Sequence, residues 1–220
     1  MAFITTGAGA REGDLVLWYD KPATKWVEAL PIGNGRLGAM VFGGTETEQL
    51  QLNEDTVWGG GPYDPSNAEA LDALPKAREL IFKGKYRQAH ELISKKMMAK
   101  PLRQMPYQPV GNLWLKFFDD QQKISDYKRQ LDLETAITSV SYVADGVKYK
   151  REVFSSAVDQ VIVMRLTAET PGKISFAASM DSPQKVTVAA KPEGLVMDGV
   201  SGDAEGIKGS IKFRCGVIVR

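Results

Sequence analysis

The sequence predicts a mainly β fold, a sandwich of antiparallel strands with one short helical excursion near residues 66–99. Three observations predict it. From Tyr107 onward, short apolar or alternating segments recur at close intervals between turn signals, the pattern of a sandwich. No strand–helix–strand alternation exists, which excludes a parallel α/β sheet. Helical spacing of apolar residues is confined to the single stretch after Ser66. The 220 residues suit one large β domain better than two small ones and are enough to bury a sizeable core.

Leu15-Val-Leu-Trp-Tyr19 reads as a short strand ended by Pro22 and Ala23. Trp26 to Leu30 leads into a glycine turn. Pro31, Gly33, Gly35 and Gly38 permit tight backbone there, and Asn34 and Arg36 are presented at its tip. Arg36–Phe42 and Glu48–Asn53 pair as a hairpin through Gly43-Gly44-Thr45-Glu46. Leu50 and Leu52 alternate with Gln49 and Gln51, so one face is buried. Asn53, Glu54, Asp55, Thr56 and Trp58 are placed on a second loop, and a glycine-rich loop runs on to Pro65.

Ser66-x-x-Glu69 has the form of a capping box. Pro75 would interrupt a helix interior, so the expectation is a short turn at 67–73 and a helix from Pro75 to about Phe82, stopped by Gly84. Tyr86, Ala89, Ile93 and Met97 recur at helical spacing through 85–98. Tyr107–Phe118 is then extended, with Leu113, Leu115 and Phe117 on one side. Strands follow at Tyr127–Leu133, Ala136–Val143, Val147–Phe154, Val161–Leu166, Lys173–Met180, Lys185–Ala189 and Gly194–Met197. Ala144-Asp145-Gly146 and Pro171-Gly172 are turns between them. In the last segment Ile211, Phe213, Cys215 and Val217 alternate on one face, as a strand pair or one long strand.

Composition narrows the function classes. Apolar content of 43% and charged content of 25% are those of an ordinary globular protein. A net charge of +1 without a basic run gives no reason to expect nucleic acid or an anionic membrane as partner. Residues 1–13 lack the basic start and apolar core of a signal peptide and read as a flexible leader, leaving 14–220 as the domain. Cys215 is the only cysteine, so no intrachain disulfide forms.

The chemistry is that of loops. One cysteine and one histidine, His90, do not make a zinc site of the usual kind, and no metal or cofactor is expected. His90, alone on a helix, reads as structural or exposed. Gly33-x-Gly35-x-x-Gly38 matches a nucleotide-binding spelling, but a strand rather than a helix follows, so the anion-binding helix terminus is missing. Glycosidases flank the scissile bond with two carboxyls at a defined separation. Glu54 with Asp55, or Glu28 with Glu54, are weak candidates for such a pair. The set Asn34, Arg36, Asn53, Glu54, Asp55, Thr56 and Trp58 could hold a polyhydroxylated ligand, since carboxylates and amides bond hydroxyls and an indole face packs on a sugar ring. The alternative is a pair of structured turns whose side chains cap their own backbone.

Leu17-Trp-Tyr-Asp-x-Pro-Ala23, Trp26-x-Glu-Ala-Leu-Pro-Ile-Gly-Asn-Gly-Arg-Leu-Gly-Ala-Met-Val-Phe-Gly43 and Leu52-Asn-Glu-Asp-Thr-Val-Trp58 together resemble the N-terminal domain of glycoside hydrolase family 95, mostly α-L-fucosidases. Leu74-Pro-x-x-Arg-x-Leu80, Tyr107-Gln-Pro-x-Gly111, Tyr127-x-Arg-x-Leu-Asp-Leu133, Arg151-Glu-x-Phe154, Asp159-x-Val-Ile-Val163 and Ser182-Pro183 continue the match in order, over about residues 15–220. Val57-Trp58-Gly59-Gly60 departs from the family's usual Leu-Trp-Ser-Gly and removes one hydroxyl.

The resemblance implies a β-supersandwich packed against an (α/α)6 helical barrel that holds the catalytic groups. It implies hydrolysis of α-L-fucosyl linkages of glycans with inversion. No catalytic residue of the family maps onto this chain, which is therefore expected to be inactive alone. The supersandwich is expected to be truncated at its C-terminal end, leaving open strand edges. Asn34, Arg36, Asn53, Glu54, Asp55, Thr56 and Trp58 become a substrate rim or a wall against the barrel. Two other readings stand beside this one, a freestanding carbohydrate-binding module and a structural or interaction domain. A secreted or periplasmic location is the expectation for the full-length enzyme.

Overall fold

The computed structural model describes residues 15–118 and 123–220. The expected leader at 1–13 lies outside the described residues. In chain order the strands are β1 (Val16–Tyr19), β2 (Leu30–Gly33), β3 (Leu37–Val41), β4 (Thr47–Glu54), β5 (Gly111–Phe117), β6 (Ile124–Asp132) and β7 (Ile137–Ala144). There follow β8 (Val147–Ser156), β9 (Val161–Ala168), β10 (Phe176–Asp181), β11 (Lys185–Lys191), β12 (Gly194–Val200) and β13 (Lys212–Ile218). The helices α1 (Glu69–Phe82) and α2 (Tyr86–Lys96) fall between β4 and β5. The mainly β fold expected from sequence is therefore observed, with the helical excursion in its expected place.

The described residues form two compact units. The first takes the chain up to Val57, Pro109–Gly199 and Phe213–Arg220, and the second takes Trp58–Gln108 and Val200–Lys212. In the first unit, sheets of order β1-β6-β7-β8-β9 and β10-β5-β4-β3-β2 face one another, and a third sheet runs β11-β12-β13. Ile32, Ala39, Val41, Leu50 and Leu52 from one sheet meet Val153 from the other, together with Met180 and Met197. Phe213, Cys215 and Val217 of β13 pack on this core, as their alternation predicts. β13 stands at the edge of its sheet.

Turn chemistry fixes the hairpins. Asp145 and Gly146 take φ of 48° and 82°, the left-handed pair that a two-residue hairpin needs. Gly43, after β3, has φ of 77°, and a side chain there would meet the Tyr127 hydroxyl at 2.6 Å. The Tyr127 hydroxyl instead donates to the Gly43 carbonyl at 2.6 Å.

The second unit corrects two expectations. The capping box does not form. The Ser66 N–H donates to Asp64 Oδ1 at 2.9 Å, and Asn67 Oδ1 accepts the Glu69 N–H at 3.1 Å. Glu69 turns to Lys96 and Lys100 instead, which pull its carboxyl down to about 2. α1 is also continuous through Pro75 rather than split before it. The proline removes the donor to the Leu71 carbonyl. Leu71 lies on the exposed side, where water can take that bond, and packing against α2 holds the rest of the helix. Asn67 Nδ2 donates to the Lys96 and Met98 carbonyls at 3.0 and 2.9 Å, tying the start of α1 to the end of α2. Along α2, Ala89 is buried, but Tyr86, expected on the same face, is exposed. Among the described residues, no helix is long and apolar enough to cross a membrane.

Candidate functional site

The β2–β3 turn is built by Asn34. Its Oδ1 accepts the N–H groups of Arg36 and Leu37 at 3.0 and 2.7 Å, while Gly35 takes φ of 95°. Its Nδ2 crosses to the Ser156 carbonyl at 2.7 Å, pinning the turn to the end of β8. Arg36 then reaches two ways, from Nε to Gln160 Oε1 at 2.9 Å and from Nη1 to Glu54 Oε1 at 3.3 Å. Gln160 takes φ of 56° and also donates to the Ala157 carbonyl at 2.8 Å. The Asp55 N–H donates to the Arg36 carbonyl at 3.0 Å. Three turns, at 34–37, 54–57 and 156–160, are thus laced by polar side chains.

Asn53 and Glu54 lie in β4 and not on a loop as expected, paired with Gly38 and Leu37. Hydrophobic alternation stops at Leu52, but ladder bonding continues for two more residues because β3 is there to pair. Only Asp55 and Thr56 belong to the following turn. Glu54 Oε2 accepts the Thr56 N–H at 2.9 Å and its hydroxyl at 2.6 Å. Burial raises the Glu54 pKa, but the two Thr56 bonds and Arg36 outweigh it and hold the carboxyl below its ordinary value. Glu28 is held low first by the Thr24 N–H, then by the Thr24 hydroxyl. Both carboxylates accept hydrogen bonds that hold turn backbone, Glu28 at Thr24 and Lys25 and Glu54 at Thr56, with Glu54 also reaching Arg36.

The set therefore divides. Asn34, Arg36, Glu54, Asp55 and Thr56 meet in the first unit, with Asn53 beside them on the strand. Trp58 opens the second unit, where its ring packs edge-on to Tyr107 at 5.4 Å between centroids. His90 is exposed, and among the described residues no group of three or more His, Cys, Asp or Glu side chains is placed to hold a metal. Cys215 is half-buried, and burial pushes its thiol up.

Sequence reasoning missed the buried polar knot beneath the β3–β4 turn. Glu48 and Arg151 pair at 2.9 Å with side chains 0% and 2% exposed. Arg151 also donates to the carbonyls of Gly44 and Thr45 and to the Tyr142 hydroxyl, and lies 4.1 Å over the Phe117 ring. Arg129, equally buried, donates to the Lys21 and Glu28 carbonyls at 2.8 and 2.6 Å and covers Tyr19 at 4.1 Å. One signal was available. Glu48 shares its strand face with Leu50 and Leu52, so a charge there required a buried partner.

Residues 17–219 match the family described as glycosyl hydrolase family 65, N-terminal domain. Alpha-L-fucosidase 2 of Arabidopsis thaliana is 43% identical over 171 residues, covering 76% of this chain and 20% of its own length. Probable alpha-fucosidase A of Aspergillus niger is 33% identical over 167 residues, covering 70% and 20%. The protein of the same name from Aspergillus oryzae is 29% identical over 229 residues, covering 90% and 30%. The chain thus spans between a fifth and three tenths of the length of these relatives. The matched family carries the number 65, whereas the motifs resemble family 95; the fucosidase relatives agree with the motifs. The chain belongs to the family described as glycosyl hydrolase family 65, N-terminal domain, and over that domain it is similar to α-fucosidases.

Proposed function

We propose that this chain is the non-catalytic β-domain of an enzyme that hydrolyses α-L-fucosyl linkages of glycans with inversion. The observation that carries this reading is the 43% identity to a relative named Alpha-L-fucosidase 2, of which the matched stretch is only 20%. The bond-breaking groups then belong to a helical barrel in the rest of the full-length polypeptide. Within this chain Glu28 and Glu54 are taken up by hydrogen bonds that hold their turns, which supports a structural role for them.

In this reading Asn34, Arg36, Asn53, Glu54, Asp55 and Thr56 of the first unit form a wall against the barrel or an edge of its substrate pocket, and Trp58 of the second unit is a separate candidate for the same role. Asn34, Glu54 and Thr56 hold the backbone in place. Arg36, bonded through Nε to Gln160 and Nη1 to Glu54, still has half its side chain exposed and presents the guanidinium at the surface. Its guanidinium offers donors in a fixed plane, suited to a partner carbonyl, carboxylate or sugar hydroxyl.

The test compares the 220-residue chain with the polypeptide extended through the barrel region, using an aryl α-L-fucoside and a fucosylated oligosaccharide. The chain alone should release no fucose and the extended form should turn over. Turnover by the purified chain at a rate comparable to the extended form would overturn the assignment.

A further inference from the structure

We infer that the outer face of α1 and the turn into α2 form a docking surface for the part of the full-length polypeptide that lies outside this chain, and that the surface it meets there is apolar and acidic. The inference rests on the reading of this chain as one domain of a longer polypeptide, since it spans only a fifth to three tenths of the length of its relatives.

α1 carries two opposed faces. Ala73, Ala77 and Leu80 recur at helical spacing on one, and Ala77 and Leu80 are buried where α1 packs on α2. Leu71, Pro75, Arg78 and Phe82 recur at the same spacing on the other. A surface helix turns polar groups to solvent on the side away from its core. Here that side holds Leu71, 76% exposed, and Phe82, 85% exposed. A helix apolar on both sides belongs between two layers, and this chain supplies only one of them.

The apolar surface continues round the turn. Phe82 to Arg87 are all exposed, and Tyr86, at the start of α2, is 70% exposed. Aromatic side chains each bury about 150–250 Å² when covered, so the two rings dominate whatever contact this tip makes.

Charge decides the character of the partner surface. Residues 76–91 hold five Lys or Arg against two Glu, whereas the whole chain nets +1. Both glutamates are already taken, Glu79 by Lys76 and Lys83 at 2.8 and 2.6 Å, and Glu91 by Arg87 at 3.9 Å. Arg78, one turn before Phe82, and Lys85, three residues after it, enter no ion pair among the described residues. A complementary surface brings carboxylates to these two cations around an apolar socket for the rings. Isologous pairing with a second copy would instead set this basic tip against itself.

The test is hydroxyl-radical footprinting, which reads side-chain accessibility, on the 220-residue chain and on the polypeptide extended through the barrel region. Phe82 and Tyr86 are expected to label several-fold more slowly in the extended form. Arg78→Glu combined with Lys85→Glu should return both rings toward the rate of the chain alone, and Arg78→Lys combined with Lys85→Arg should not. Both double variants should stay folded in the 220-residue chain, because the two positions are exposed. The inference is overturned if both rings label equally fast in the two forms, or if the slowing survives the double charge reversal in full. It is also overturned if the slowing already develops in the 220-residue chain as its concentration rises, which makes a second copy the occupant. Binding of the chain to phosphatidylserine vesicles, with both rings still labelled fast in the extended form, would assign the tip to an anionic lipid surface and overturn it as well. The fucosidase reading is judged separately. An extended form that turns over an aryl α-L-fucoside with both rings exposed overturns this inference alone, and one that shields both rings without turnover overturns the activity alone.

Discussion

Replacing Arg151 with methionine tests the buried knot directly. The guanidinium has four partners besides the Phe117 face: Glu48, the carbonyls of Gly44 and Thr45, and the Tyr142 hydroxyl. Methionine fills much of the volume but leaves a carboxylate that is 0% exposed with no cation. Breaking a buried pair this way costs about 3–5 kcal/mol, which is about 6–20 °C in Tm for a chain of this size. The Gly43 and Gln49 N–H groups still bond Glu48, which favours the lower part of that range. The double variant E48Q/R151M should recover part of the loss. A neutral amide tolerates burial, and its oxygen still accepts from Gly43. The pH dependence has a definite sign. Burial raises the Glu48 pKa, and without Arg151 the main opposing charge is gone. A folded pKa above the unfolded one makes stability fully present below the unfolded value of 4.5 and lost as pH rises through the folded value. The deficit of R151M relative to wild type should therefore shrink from about pH 7 to about pH 5, and E48Q/R151M should show no such trend. Urea unfolding followed by circular dichroism at several pH values measures both effects. An R151M deficit under about 1 kcal/mol at neutral pH, or one that is flat with pH, would refute the reasoning.

Asn34→Ala removes three hydrogen bonds that hold the β2–β3 turn to itself and to Ser156, and should cost about 1–3 kcal/mol. In the full-length enzyme it should also lower kcat/KM or loosen domain docking, as should Glu54→Ala. Wild-type kinetics and melting in both variants would remove these residues from the wall or rim. Glu69, held at about 2 by Lys100 and Lys96, contributes stability that is present above its unfolded value of 4.5 and lost as pH falls toward 2. Melting of the helical signal should therefore move down across that window in wild type, and Glu69→Gln should flatten the dependence. Parallel pH profiles for the two would show that the Lys96 and Lys100 contacts do not hold the helix pair.

Alternation carried the strands because a half-buried strand repeats every two residues, whatever it pairs with. Leu50 and Leu52 of β4 and Phe213, Cys215 and Val217 of β13 announced their buried faces in this way. Asp145-Gly146 announced its hairpin because φ above zero is costly for most other residues. Local rules failed where distant groups outbid them. The capping box was spelled correctly, but Lys96 and Lys100, 27 and 31 residues away, claim the Glu69 carboxylate. Pro75 should have started a helix after a short turn, yet α1 begins at Glu69 and runs through it on the support of α2. The same limit governed the candidate site. Asn34, Arg36 and Glu54 were found from their turns, but Ser156 and Gln160, more than a hundred residues further on, were not.

The stretch from Trp26 to Trp58, with the motifs that follow it in order, carried the family resemblance, and the strand spacing from Tyr107 onward predicted the β fold. Both are properties of residue order and needed no coordinates. Tertiary structure decided what the polar residues of that stretch do. It turned Asn34, Arg36 and Glu54 from loose candidates into a lacing of three turns, and it separated Trp58 into the second unit. It also brought Glu48 to Arg151 across 103 residues and stacked Tyr142 against Tyr149. The reason is that hydrogen-bond partners and ring contacts depend on distance in space. A sequence displays only those partners that a few bonds of backbone bring together.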